Sequence, residues 1–266
     1  MKRVMKWVLI ALLLGAATFA ILLWQQGPTF KGPPTGPADV PPPPVAATEP
    51  GIHYPLPEAK TEPLPTLEKS DVPLLSALGD LIGNAAVKQF IQPQEIVRRI
   101  VVTVDNIPRS VISAQLMPTT PVPGKFRTTG KGDNLTMSAL NTERYTSFVR
   151  LLERVDSKKL TNLYIHYYPL FQQAYRDLGY PKGYFNDRLV TVIDHMLQAP
   201  QSDGPIVLEQ PHVFYKFADP ELESLSAGHK LMLRVGNDNA ARIKKKLREI
   251  RGELVKASEA TQTKSK

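Results

Sequence analysis

The chain has 266 residues, 42% of them apolar, with no cysteine, 25 prolines and a formal net charge of +8. The absence of thiols excludes disulfides, zinc–thiolate sites, thiol catalysis and a lipid-modified N-terminal cysteine. Three cations in residues 1–6 and a net excess of five in residues 237–266 account for the whole charge. The chain therefore lacks the spread of cations over a groove-sized surface that a nucleic-acid domain needs, and no nucleic-acid partner is expected.

Residues 1–6 carry Lys2, Arg3 and Lys6, and an uninterrupted apolar run follows from Trp7 to Trp24. A bilayer core of about 30 Å needs about 20 apolar residues at 1.5 Å each, so the run just spans. In lipid it must be a helix, because each backbone N–H and C=O has to be paired within the segment. Trp7 and Trp24 sit where amphipathic indoles favour the membrane interface. The flanking cations keep residues 1–6 cytoplasmic and send the rest of the chain across. A cleaved signal peptide is the competing reading. Its apolar core would be about 7–15 residues and would end in small side chains, whereas this run ends Ile21-Leu22-Leu23-Trp24.

Residues 25–66 read as a proline-rich linker, with 13 prolines between Gly27 and Thr66. Short of amide donors and of side chains to bury, the segment favours extended polyproline II. At about 3.1 Å per residue it could reach on the order of 120 Å. A spacer is the simple reading; Pro41–Pro44 also suits a proline-binding groove.

Residues 67–256 read as one mainly helical domain. Ser70 is an expected N-cap for a helix to about Ile82, with Asp71 in its first turn. A short helix over Ala85–Ile91 follows, and Pro93 opens another that Asn106-Ile107-Pro108 closes. Its stretch Ile100–Val104 is β-branched, yet the start signal favours helix over strand. Lys125–Thr129 and Leu135–Ser138 flank Gly130–Asn134 as a small β-hairpin. The glycine pair there lacks the Gly-Lys-Ser/Thr ending of a phosphate loop. Asn141 caps a helix over Thr142–Val155. Asp156 caps a longer one with Leu160, Tyr164, Tyr167, Phe171, Ala174 and Leu178 on one face. Pro169 should kink or split that helix. After a turn at Gly179–Tyr184, a helix runs from about Asn186 to Gln198. Ile206–Leu208 and Val213–Phe217 are short strands, and Asp219 and Ser226 are caps. The last helix buries Ile243, Leu247, Ile250 and Leu254 as one stripe and leaves Lys244, Lys245, Arg248 and Arg251 off it. That basic side is either a solvated face or a contact for anionic lipid or polymer. Beyond about Lys256 the helix should fray, leaving residues 257–266 disordered. The fold class is thus mainly α, a multi-helix globular domain with a small β-hairpin insertion, preceded by one transmembrane helix and a Pro-rich stalk.

Several strings occur together: Tyr167-Tyr168-Pro169-Leu170-Phe171-Gln172, Leu178-Gly179-Tyr180-Pro181 and Gly183-Tyr184-Phe185-Asn186-Asp187-Arg188-Leu189. Further on come Val192-Ile193-Asp194-His195, Phe217-Ala218-Asp219-Pro220-Glu221-Leu222, Ser226-Ala227-Gly228 and Leu231–Gly236. As a group, over about Leu67–Leu254, they resemble a bacterial membrane-anchored family described as a domain of unknown function (number 3014). The resemblance implies an envelope protein, anchored in the inner membrane of a Gram-negative-type bacterium with its domain in the periplasm. It brings no activity, so no catalytic residue is carried over.

The best chemical constellation is Asn186, Asp187, Arg188, Asp194 and His195. On a helix Asp187, Thr191 and His195 share one face, with Phe185, Leu189, Val192, Ile193 and Met196 opposite. A carboxylate near His195 could orient it as a base. No Gly-x-Ser-x-Gly turn marks a nucleophile, and an ordinary polar helix face explains the same residues. None of the five histidines makes an i, i+4 pair, so no metal or cofactor is expected. The expected function is binding or scaffolding in the envelope, with a partner-binding surface at Tyr180, Tyr184, Asn186, Asp187, Arg188 and His195. The rival is a hydrolase-like envelope enzyme using Asp187 or Asp194 with His195.

Overall fold

The computed structural model describes residues 51–58 and 63–264. The expected anchor with Trp7 and Trp24, and the linker as far as Pro50, lie outside the described residues. Among the described residues no helix is long and apolar enough to cross a membrane.

The domain is mainly helical, at 62% helix and 5% strand. The helices are α1 (Asp71–Ile82), α2 (Asn84–Phe90), α3 (Ile96–Asn106), α4 (Leu140–Arg154), α5 (Ser157–Asp177) and α6 (Phe185–Leu197). They are followed by α7 (Pro220–Ser224), α8 (Ala227–Val235) and α9 (Asn237–Lys264). Two short antiparallel pairs complete it, β1 (Thr128–Thr129) with β2 (Thr136–Met137), and β3 (Leu208–Glu209) with β4 (Lys216–Phe217). The single expected hairpin insertion is therefore two hairpins. They meet edge to edge, because Met137 N–H donates to Ile206 O (2.9 Å) and Leu208 N–H to Leu135 O (2.8 Å).

The main core lies between α1, α3, α5 and α6. Phe171 and Phe185 stack there with planes 7° apart. Of the expected stripe on α5, Tyr167, Phe171 and Ala174 are buried, while Leu178 is 38% exposed beyond the helix end. The helix is continuous through Pro169 rather than split. The proline is exposed, so its ring faces solvent instead of a packed neighbour. The β-branched stretch Ile100–Val104 lies within α3, as the start signal favours.

Helix α9 packs against α4, α5, α6 and α8. It continues to Lys264, past the point where fraying was expected. Packing explains the extension: Ser258 is buried and Ala257 contacts the main core. Its expected basic side is divided: Lys245 and Arg248 are exposed, while Lys244 and Arg251 are engaged. Arg242 pairs with Glu153, Arg251 with Asp194, Lys244 donates to Ala199 O, and buried Lys246 binds Val155 O, Ser157 and Glu249. These cations bolt α9 to neighbouring elements.

The caps divide by the distance of their partners. Asp156, Asp219 and Ser226 accept the amides of Lys159, Glu221 and His229, as expected of N-caps. Ser70 does not cap α1; its hydroxyl donates to Leu67 O in a preceding 3-10 turn. Asp71 instead accepts Glu95 N–H (2.7 Å) and Ile96 N–H (2.9 Å), capping α3 from another helix. Asn141 lies inside α4, fully buried. It accepts Arg127 N–H and donates to Arg127 O and Ser138 O, which ties the first hairpin to the helix.

The expected linker also ends earlier than residue 66. Residues 53–56 lie on α6, with Leu56 7% exposed. Polar groups on α6 pair with the amides of this extended segment.

Candidate functional site

Helix α6 is positioned by a buried glutamine. Gln172 Oε1 accepts Phe185 N–H (2.9 Å) and Tyr168 OH (2.8 Å), and its Nε2 donates to Gly183 O (2.7 Å). This fixes the start of the helix and holds its first turn against α5, where Phe185 and Asn186 are buried. Burial pushes the Tyr168 phenol well above its ordinary range, so it remains protonated and able to donate.

Three of the six residues expected at a partner surface are occupied by the chain itself. The Asp187 carboxylate accepts His53 N–H (2.9 Å) and Tyr54 N–H (2.7 Å). Tyr184 OH accepts Leu56 N–H (2.9 Å). Asn186 is 0% exposed, and its Nδ2 donates to Tyr54 O (2.8 Å). These side chains therefore serve residues 53–56, and the fully buried Asn186 cannot meet a separate partner.

The other three, Tyr180, Arg188 and His195, share a polar cluster with residues the sequence reading did not single out for it. At its base is Asp105, 3% exposed on α3. Its carboxylate accepts Arg109 Nη2 (2.6 Å) and Tyr180 OH (3.1 Å), and pairs with Arg188 Nη2 (3.2 Å). Arg188 Nη2 also donates to Asp105 O (2.7 Å), and the Tyr180 ring stacks on Tyr175 at 4.5 Å. The carboxylate is charge-compensated and hydrogen-bonded, as a buried ion must be. Arg109 keeps a half-exposed side chain.

Beside this network, His195 Nε2 lies 2.8 Å from Ser226 Oγ, and His229 Nε2 lies 2.7 Å from His195 O. A carbonyl only accepts, so His229 carries its proton on Nε2. Ser226 Oγ accepts His229 N–H, and its hydroxyl proton is free to donate to His195 Nε2 in the tautomer that leaves that nitrogen unprotonated. Burial, then the neighbouring His229 and Arg188, hold the His195 imidazole below its usual range, which favours the same neutral state.

A hydroxyl donating to an imidazole is one half of a nucleophile–base unit. The other half, a carboxylate orienting that imidazole, is not supplied by the expected partners. Asp187 is engaged by residues 53–54, and Asp194 by Arg251 at 2.5 and 3.1 Å. The Asp–His pairing of the hydrolase reading is not formed. Among the described residues no group of three or more His, Asp or Glu could hold a metal ion.

The model of a family described as a protein of unknown function, DUF3014, matches residues 96–251. The chain belongs to this family. The DUF3014 match contains every member of the cluster, from Asp105 to His229, and leaves out α1, α2 and residues 51–58. No curated protein and no solved structure matches the chain.

The partners of His195 lie 31 and 34 residues away, and Tyr180 meets Asp105 across 75. No local spacing shows such pairings. The one available signal was Ser226 as a cap, with His229 three residues on.

Proposed function

We propose that this DUF3014 protein is a single-pass inner-membrane protein whose domain binds or scaffolds a partner in the periplasm. Residues 7–24 form the anchor, and residues 1–6 stay in the cytoplasm. The partner surface is the cluster of Arg109, Tyr180, Arg188 and His195. The observation that carries this reading is Asp105: a buried carboxylate holds two guanidinium groups and a phenol in one fixed arrangement, with Arg109 facing solvent. Two guanidiniums against one carboxylate leave the cluster net positive, which suits an acidic segment of a protein partner.

A photo-crosslinking residue placed at Ser110 in intact cells tests the surface. One defined envelope protein should be captured, and Arg109→Gln, which removes the exposed charge and leaves Arg188 and Tyr180 on Asp105, should weaken the capture while the melting temperature stays within a few degrees. Undiminished capture by Arg109→Gln would remove the cluster from the interface. A reporter fused after Lys266 tests the topology; activity confined to the cytoplasm would overturn the placement.

A further inference from the structure

Two hollows adjoin along α4. One, about 460 Å3, lies between α4 and the corner where α1 meets α2. The other, about 520 Å3, lies between α4, residues 117–123 and α8. They meet at Gln89, Phe90 and Ser147, which line both. There the Phe90 ring packs on Phe148, with centroids 6.0 Å apart. Leu81, Ile82, Phe90, Phe148 and Leu151 are only half-buried, so the groove leaves apolar surface open to solvent.

The charge along this groove has one sign. Three of its lining residues are arginines, Arg144, Arg150 and Arg154, and none is acidic. Arg144 is spent on the carbonyls of Pro123 (3.1 Å) and Gly124 (2.9 Å). Arg150 and Arg154 are exposed, one turn apart on α4, and have no partner among the described residues. Glu153, beside them in the chain, is taken by Arg242. By contrast Arg98, Arg109, Arg188 and Arg251 each meet a carboxylate of the chain itself. Two free guanidinium groups at an open apolar groove call for a partner that brings carboxylates and apolar side chains together.

The walls narrow the form of that partner. An extended peptide binds by adding a strand to a free sheet edge, and the groove has none. Its walls are helices, apart from residues 117–123, which are already paired. Thr120 N–H donates to Phe90 O (3.0 Å) and Gln92 N–H to Pro118 O (2.9 Å). Pro118, Pro121 and Pro123 have no N–H to give. A helix needs no main-chain pairing with its host. The α4 side runs from Tyr145 to Arg154, about 14 Å at 1.5 Å per residue, which spans two to three turns of a facing helix. Two hollows joined at Phe90 suit two separate side-chain anchors better than one continuous tail. Arg150 and Arg154 have the spacing at which side chains three or four apart on a helix stand, about 5–6 Å.

We infer that this groove binds an amphipathic helix of a protein partner, which lays apolar side chains into the two hollows and pairs two acidic side chains, three or four residues apart, with Arg150 and Arg154. The groove shares no residue with the Arg109 cluster and stands whether or not a protein docks there.

The test uses the full chain in phospholipid nanodiscs, with a phage-displayed library of random 16-residue peptides as the probe and empty nanodiscs for depletion. Enriched peptides should carry apolar residues at helical spacing with a Glu or Asp pair three or four apart. The strongest of them, made synthetically, is then titrated by fluorescence anisotropy. Arg150→Gln with Arg154→Gln, both exposed and unpaired, should weaken it about three- to tenfold and flatten its salt dependence. Ala85→Glu, at an exposed position of the α2 wall, sets a carboxylate against the acidic pair and should cut binding about tenfold or more. Melting temperatures of both variants should stay within a few degrees of wild type. Enrichment of alternating or proline-rich peptides, enrichment without an acidic pair, or undiminished binding by the double variant would overturn the inference. So would no enrichment over empty nanodiscs; uptake of a monoacyl phosphatidylglycerol that depends on Arg150 and Arg154 would then reassign the groove to lipid.

Discussion

The imidazoles of His195 and His229 lie face to face, with centroids 4.0 Å apart and planes 7° from parallel. The nearby His229 ring and Arg188 both oppose a proton on His195. His195 accordingly titrates below the usual imidazole range, with burial as the leading cause. In the unfolded chain it would bind a proton near pH 6.5. The unfolded state then holds more protons than the native state below that pH, so stability is full above about pH 6.5 and declines as the pH falls toward the lowered native value. Urea midpoints at pH 7.5 and 5.5 should differ in that sense, and His195→Asn should narrow the gap. A higher midpoint at pH 5.5 would contradict it.

Asp187→Ala removes the acceptor of two backbone amides. Hydrogen bonds to a charged group are worth about 1.5–3 kcal/mol when buried, and this part-exposed site should lose about 1–2 kcal/mol. The loss should be local. Amide exchange at His53 and Tyr54 should accelerate and protease should cut within residues 51–58, while the Phe171–Phe185 core keeps its protection. Unchanged exchange at Tyr54 would mean that the segment is held by other contacts.

Asn141→Ala should cost roughly 2–3 kcal/mol, because it leaves the Arg127 N–H and C=O without their side-chain partner beside a buried site. The denaturation midpoint measures the cost, and faster exchange at Thr128 and Met137 would locate it in the first hairpin. Leu140→Ala, at a neighbouring exposed position, should cost far less.

Gly228→Ala should destabilise by about 1–3 kcal/mol through overpacking. A Cβ there would stand 2.5 Å from Met196 Sδ and 2.6 Å from Ile107 Cγ2, with Ile107 O at 3.2 Å. Met196 can swing aside, but Ile107 is β-branched and also accepts Gly228 N–H through its carbonyl, so it cannot. A midpoint equal to wild type would show that α8 can slide away from α3.

Legibility of this fold in the sequence follows the range of each interaction. The stripe Tyr167, Phe171, Ala174 was readable because a helix writes its buried face every third or fourth residue. Asp156, Asp219 and Ser226 were readable because a cap and its amide lie two or three residues apart. Asn141 was misjudged, and the cap that Asp71 gives to α3 went unread, because their partners lie 14 and 24–25 residues away, across a hairpin and between helices. The same limit applied at the site. The polarity of Tyr180, Arg188 and His195 was visible, but the buried Asp105 that gathers two of them directly follows a β-branched run that reads as plain core. Asn186, Asp187 and Tyr184 looked free because the segment they hold is about 130 residues earlier, in a stretch whose prolines suggest no docking at all.

The clasp of Asp187 on the amides of His53 and Tyr54 gives the N-terminal chain a defined point of departure from the domain. Traction applied upstream of Gly51 is borne first by these two bonds and by the Leu56–Tyr184 contact, before any load reaches α1. They would part ahead of the core, releasing residues 53–56 from α6 while the helices stay folded.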